Sequence, residues 1–347
     1  MTKLYKLDSG GRLRVLEIFT KGNLVCQQSG LIDGKLAYTE SVCVGKNIGR
    51  SNETTAEEQA ISEMESKITE KLKEEYFRTI EEAKSMKVIL PMLAKDYKKE
   101  SHKVRFPCFV QPKLDGMRCL GSKSAMMSRA NTEIITMAHI QMDLATLPEG
   151  VILDGELYAH GLSFQENMKL IKKRRPESVN VKYHVYDMIS QDSFEHRNIT
   201  LAKLIVGMKN VELVPTYRLN DPEGLKTYHA QFLGEGYEGT IIRHSEMGYQ
   251  INKRADCLLK YKDFIDIACL VVDIVPSEKR PEHATAVCQF KNGKTFQTGM
   301  KFSHVEREEI LRNKRNYIGC MAELRFFEYT DDGMPRFPVC VGFRLDK

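Results

Sequence analysis

Gln111-Pro112-Lys113-Leu114-Asp115-Gly116-Met117-Arg118 is the stretch of this 347-residue chain with the most chemistry in it. The strand-like run Phe106 to Gln111 leads into Asp115-Gly116, an ordinary turn dipeptide, so the Lys113 amine stands beside a tight turn. Alone, the segment reads equally well as a charged hairpin turn or as a reactive lysine. The order of the downstream residues separates the two readings. They are Ser128-Arg129, Leu153-Asp154-Gly155-Glu156, Tyr183-His184-Val185-Tyr186-Asp187, Glu238-Gly239-Thr240-Ile241-Ile242-Arg243 and Leu259-Lys260-Tyr261-Lys262, and the chain closes on Phe343-Arg344-Leu345-Asp346-Lys347. Glu156 and Glu238 offer hard carboxylate oxygens of the kind Mg²⁺ takes, although a glutamate beside lysines is more often a solvated ion pair.

This ordered set resembles the covalent nucleotidyltransferase superfamily of ATP-dependent DNA ligases, RNA ligases and mRNA capping enzymes, over about residues 90 to 347. Pro91-Met92-Leu93-Ala94 resembles the lead into the catalytic domain of the DNA ligases. Arg336-Phe337-Pro338, with the terminal Arg344-Leu345-Asp346-Lys347, resembles their closing segment. The resemblance implies an ATP-dependent DNA ligase that seals 5′-phosphate/3′-hydroxyl nicks, with ATP, Mg²⁺ (or Mn²⁺) and nicked double-stranded DNA as cofactors and partner. The resemblance also implies a monomer acting in replication, repair or recombination. Capping enzymes continue beyond such a terminal motif, RNA ligases usually lack a C-terminal barrel, and NAD⁺-using ligases are longer and carry a cysteine zinc module.

On this resemblance Lys113 attacks the α-phosphate of ATP, expels pyrophosphate and carries AMP. A free lysine, with a pKa of about 10.4, is protonated at neutral pH. Neighbouring cations (Lys260, Lys262, Arg118) and a metal lower that pKa and balance phosphate charge. Glu156 and Glu238 are the implied metal ligands, Glu156 also contacting the ribose. Arg118 is expected on the nucleotide ribose and Tyr186 on the adenine face, with Tyr183 an alternative and a core tyrosine the competing reading. Arg129 and Arg243 are expected to hold DNA, since guanidinium grips phosphate through two donors. Gln111 stands where relatives carry glutamate, and Arg197 corresponds loosely to a family arginine. Arg344 and Lys347 would orient pyrophosphate, the barrel closing for adenylation and reopening to clamp DNA. The alternative is a frayed terminus.

The elements that must position these groups fall into three regimes, α+β overall. Residues 1–82 alternate over short strands broken at Gly10-Gly11, Gly22-Asn23 and Asp33-Gly34. A helix then runs from near Thr55, where Ala60, Met64, Ile68, Leu72 and Tyr76 recur every four residues. Ser29-Gly30 through Lys35 and the later helix resemble a WGR-type domain without its tryptophan, a candidate DNA-binding unit. Residues 86–262 mix strands (Phe106 to Gln111, Val151 to Leu153, Val181 to Tyr186, Gly239 to Arg243) with helices such as Gln165 to Lys173. This is the nucleotidyltransferase unit, with ATP-grasp-like antiparallel sheets implied. Residues 265–347 hold strands at Ala268 to Val275, Ala286 to Phe290, Met321 to Phe327 and Val339 to Phe343. With one helix from Val305 to Arg312, capped by Ser303, they are the size of an OB-fold barrel.

Composition sets the outer bounds. With 42% hydrophobic and 29% charged residues the chain is an ordinary globular protein, and no apolar run approaches the ~20 residues that span a bilayer. No secretory signal core is present at the start, so an intracellular protein, cytoplasmic or nuclear, is expected. Nine cysteines without a C-x-x-C pair fit buried, reduced thiols. A net charge of +5 permits a polyanionic partner without requiring one.

Overall fold

The computed structural model describes residues 1–344 except 9, 86, 87, 245, 279 and 327. The first unit is a four-stranded antiparallel meander of β1 (Thr2–Leu7), β2 (Leu13–Lys21), β3 (Leu24–Leu31) and β4 (Ala37–Val42). Helix α1 (Ala56–Lys73) packs Ala60, Met64, Ile68 and Leu72 on Leu4, Leu16, Ile18 and Val25. It starts at Thr55 because Thr55 and Glu58 cap one another, each side chain taking the other's backbone N–H. The short α2 (Ile80–Ser85) packs against β1.

Two five-stranded sheets face each other in the middle of the chain. One runs β12 (Tyr217–Leu219), β6 (Cys108–Lys113), β13 (Gly239–His244), β14 (Arg254–Tyr261), β5 (Leu93–Asp96). The other runs β11 (Val211–Leu213), β10 (Lys182–Met188), β9 (Ile152–Tyr158), β7 (Met117–Ser122), β8 (Met126–Ser128). The sheets are mixed rather than wholly antiparallel: β5 lies parallel to β14, and β11 parallel to β10. The helices between these strands are α3 (Tyr97–Glu100), α4 (Ala138–Leu144), α5 (Phe164–Lys172), α6 (Phe194–Leu204) and α7 (Pro222–Gly234). Helix α7 buries Leu225 and Phe232 on Val110, Ile242 and Leu259, which form the outer face of the first sheet. Ile140 and Leu144 of α4, Ile171 of α5 and Leu201 of α6 cover Leu153, Leu157, Tyr183 and Val185 of the second. Alternation along the strands then leaves the polar members of both sheets facing the cleft between them.

The last unit is a closed five-stranded barrel in the order β15 (Ile265–Pro276), β16 (Ala284–Gln289), β17 (Thr295–Met300), β19 (Val339–Arg344), β18 (Met321–Phe326). Helix α8 (His304–Arg312), capped by Ser303, puts Ile310 into the barrel's core. All nine cysteines are free and buried, and among the described residues no helix is long and apolar enough to cross a membrane.

Candidate active site

The Lys113 turn is no hairpin. Lys113 ends β6 in one sheet, while Met117 begins β7 in the other, so Leu114 to Gly116 carry the chain across the cleft. The crossing is tight at Gly116, where a Cβ would run into the Leu157 carbonyl and lie 3.0 Å from Cγ of Glu156. The lysine amine is thereby fixed at the meeting point of the two sheets, on the wall of a cavity of about 280 Å³.

Register explains which side chains join it. In the first sheet Gln111, Ile241 and Lys260 stand opposite one another on β6, β13 and β14. Lys262 comes two residues later on the same side and also lines the cavity. In the second sheet Arg118 pairs with Glu156, and Glu156 with His184, across β7, β9 and β10. Tyr183 and Tyr186 are separated by the same alternation. The Tyr183 hydroxyl is buried on the helix side, donating to the Leu153 carbonyl (2.8 Å) and the Cys119 carbonyl (2.9 Å), so it is a core residue. Tyr186 faces the cavity, its hydroxyl 3.4 Å from Oε2 of Glu156.

The charges in the cavity are packed closely. The Glu238 carboxylate bonds the Lys113 amine through one oxygen and the Lys262 amine through the other. Burial pushes the Lys113 amine below the usual lysine range, against the opposing charges of Glu156 and Asp115, and Arg118 lowers it further. Burial, and then the positive charge of Lys113, brings Lys262 down to about 7 and lowers Lys260 as well. Glu156 is pushed up to about 7 by burial, against Lys113 and Arg118. Its anionic form is thus under-compensated, and a divalent cation or a donating hydroxyl in the cavity would relieve it. Glu156 and Glu238 supply hard oxygens beside a place for phosphates, which suits Mg²⁺; among the described residues no cluster of three His, Cys, Asp or Glu could hold a metal unaided.

Arg118 is gripped by Asp154 through two bonds, Nε to Oδ1 at 2.9 Å and Nη2 to Oδ2 at 2.6 Å. Tyr249 donates to the same carboxylate at 2.6 Å and accepts the Met92 N–H at 3.0 Å, tying the segment before β5 to the cavity floor. Asp154 and Tyr249 are thus positioning residues that sequence reading passed over. The signal for Asp154 was available, since two residues apart on a strand it shares a face with Glu156.

Arg243, expected at the DNA, lies on the wall of the same cavity with its side chain 3% exposed. Its Nη1 bonds Oδ2 of Asp187 at 2.5 Å and its Nε donates to Oε1 of Gln111 at 2.7 Å. Arg197 grips the same Asp187 with Nε at 2.7 Å and Nη2 at 3.1 Å. These two arginines neutralise one fully buried carboxylate, and Arg243 joins the two sheets at the cavity wall. Gln111 is saturated too, its amide donating to the Tyr186 carbonyl (3.2 Å) and Thr216 (2.9 Å).

Arg129, by contrast, is exposed on the rim just beyond β8, beside Arg254, whose Nη1 donates to the Ala94 carbonyl at 2.7 Å. Arg344 stands apart. It lies exposed on the barrel, with its Nε 3.0 Å from Oε1 of Glu323, and does not line the cavity. Lys347 lies outside the described residues. The barrel does touch the site through Arg336, which bonds Asp115 at 2.7 Å and sits 3.8 Å over the Phe164 ring.

A model of the ATP dependent DNA ligase domain matches residues 91–262, and a model of the DNA ligase OB-like domain matches residues 283–344. The chain is 25% identical over 368 residues to the DNA ligase of African swine fever virus (isolate Pig/Kenya/KEN-50/1950), covering 95% of this chain and 84% of that protein. It is 24% identical over 334 residues to the DNA ligase of Enterobacteria phage T4, covering 74% and 68%. Among solved structures, a minimal-scaffold Lig E DNA ligase superposes with a TM-score of 0.65 at 24% identity, over 74% of this chain and all of that one. Pmar-Lig_Pre superposes with 0.67 at 19%, over 82% and 71%. These structural likenesses speak for the fold.

Proposed function

The chain belongs to the ATP-dependent DNA ligase family, and we propose that it seals nicks in duplex DNA by carrying AMP on Lys113. The observation that carries this assignment is the state of the Lys113 amine: half-buried, lowered in pKa, bonded to Glu238 and flanked by a second lysine that titrates near neutrality. Such an amine can lose its proton to Glu238 or to neutral Lys262 and attack the α-phosphorus of ATP, forming an N–P bond as the α–β P–O bond breaks and pyrophosphate leaves. An oxygen of the 5′-phosphate at the nick then takes the AMP from Lys113. The 3′-hydroxyl finally attacks that 5′-phosphate, forming the phosphodiester and releasing AMP.

Lys260 and Lys262 balance phosphate charge, Arg118 holds the ribose from its seat on Asp154, and Tyr186 lies against the adenine. Arg129, on the open rim, takes the 5′-phosphate. Glu156 and Glu238 would hold Mg²⁺ (or Mn²⁺), which when bound supplies further neutralisation of the phosphates. Arg344 and Lys347 would reach the pyrophosphate after the barrel moves. We read residues 86–262 as the adenylation unit, 265–347 as the barrel that closes on it, and the whole as a monomer working inside cells on nicked DNA. Residues 1–82 are read as an accessory DNA-binding unit. Their charge is divided: residues 1–50 carry eight Lys and Arg against four Asp and Glu, whereas residues 51–82 carry four against ten. The DNA face of this unit is therefore the sheet half.

Incubation with α-labelled ATP and with α-labelled GTP tests the central assignment. Label from ATP should appear on the native chain and be absent from Lys113→Ala. Covalent label persisting in that variant would show that another residue is the nucleophile.

A further inference from the structure

Lys169, Lys172, Lys173, Arg174 and Arg175 are five cations within seven residues, and all five side chains are exposed. Among the described residues none of the five takes part in a salt bridge, although elsewhere lysines and arginines are paired with carboxylates many times over. The Glu166 carboxylate acts on Lys169, whereas Lys172 to Arg175 have no salt bridge among the described residues; like charges so crowded oppose folding, so the run needs a compensating ligand or goes without one at a cost.

The run is also held still. Ile171 is buried in the core of the second sheet, and its carbonyl accepts the Thr136 hydroxyl at 2.5 Å. Past the run, the Ser178 hydroxyl is buried, donates to the Leu170 carbonyl at 2.7 Å and accepts the Arg175 N–H at 2.9 Å. Four consecutive cations, Lys172 to Arg175, are thus displayed on a turn anchored on both sides. A fixed cationic turn suits a stiff, repeating polyanion better than a receptor groove that reads a flexible, extended basic peptide.

The turn also has a definite place relative to the cavity. Helix α5 begins at Phe164, which packs under Arg336, and Arg336 bonds Asp115 two residues from Lys113. The nine residues of α5 span about 13 Å, so the basic turn lies within the ~34 Å of one duplex turn flanking a nick at Lys113.

We propose that Lys172, Lys173 and Arg174 clamp the phosphate backbone of the duplex arm beside the nick. This rests on the ligase reading above and extends its DNA surface to a segment away from the reacting phosphates. The test uses the full-length protein and a fluorescent nicked duplex, with affinity measured by anisotropy across a KCl series. The variant is Lys172→Gln/Lys173→Gln/Arg174→Gln. A control, Lys203→Gln/Lys209→Gln/Lys226→Gln, removes the same charge from other exposed positions.

Each phosphate contact contributes about 0.9 to the slope of log affinity against log salt, so the variant's slope should be shallower by about 2 to 3, with weaker binding at low salt. The control should keep the native slope. Self-labelling with ATP alone should match the native protein in both variants, which also shows that they are folded. An unchanged slope in the first variant overturns the clamp, whether or not the run then serves nuclear import. A native protein that neither labels with ATP nor binds the nick would instead overturn the ligase reading itself.

Discussion

Replacing Arg243 by alanine tells a core ion pair from a DNA contact. The substitution strips Asp187 of one of its two arginines and Gln111 of a donor, in a region where Asp187 has no exposure to solvent. Breaking a buried pair costs about 3–5 kcal/mol, and the surviving two-bond grip of Arg197 puts the expectation at the lower end, about 3 kcal/mol. For a domain of some 150–250 residues each kcal/mol moves the melting midpoint by about 2–4 °C, which gives a fall of about 6–12 °C. Calorimetry of the variant reads this directly. Arg129→Ala, a change at an exposed side chain without an ion pair among the described residues, should move the midpoint by no more than about 2 °C yet weaken nick binding several-fold. Below its own melting range Arg243→Ala should bind nicked duplex as the native protein does. If its midpoint is unchanged and its nick affinity drops, Arg243 reaches DNA and the core assignment is wrong.

The pH dependence of self-adenylation stems from the lowered amines. Because burial favours the neutral forms of Lys113 and Lys262, the rate should rise from about pH 6 and level off well below the free-lysine value of about 10.4; a rate that climbs steadily beyond pH 10 would mean an unperturbed nucleophile. Removing the last four residues, 344–347, should block label transfer from ATP to Lys113 while sparing the sealing of a pre-adenylated nick, and equal loss of both steps would assign the tail to the fold instead. A chain beginning near Lys87 should still self-adenylate but bind nicked duplex more weakly, with the gap closing as salt rises. Identical affinity and salt slope would assign residues 1–82 to another partner.

Much of the site could be read from the sequence because its groups sit on strands whose local pattern is strong. Lys113, Lys260, Lys262, Arg118, Glu156 and Tyr186 all line the one cavity. The reading was weaker where polar residues continue a strand. β9 was expected to stop at Leu153, yet it runs to Tyr158, because Asp154 and Glu156 face a cleft that the second sheet alone does not reveal. β17 was not anticipated, its Thr and Gln alternation carrying little apolar signal. The setting of Arg243 was hidden for a different reason. Alternation places it on the cavity face of β13, but whether that position meets solvent or Asp187 depends on how two sheets far apart in sequence are set against each other. Arg344 shows the same limit, since its neighbour Glu323 comes from an adjacent barrel strand.

Glu238 shared between two amines has a consequence for anyone who alters this pocket. Its carboxylate divides its attraction between Lys113 and Lys262, so the two lysines compete for one counter-ion. Substituting Lys262 with methionine would leave Glu238 wholly to Lys113, holding that amine in its protonated, unreactive form. The resulting defect would look like damage to the nucleophile although the nucleophile is intact. Removing Glu238 as well would release that amine but also take away a proton acceptor and a carboxylate proposed for the metal, so effects at these positions do not add, and a lysine-by-lysine scan would misassign them.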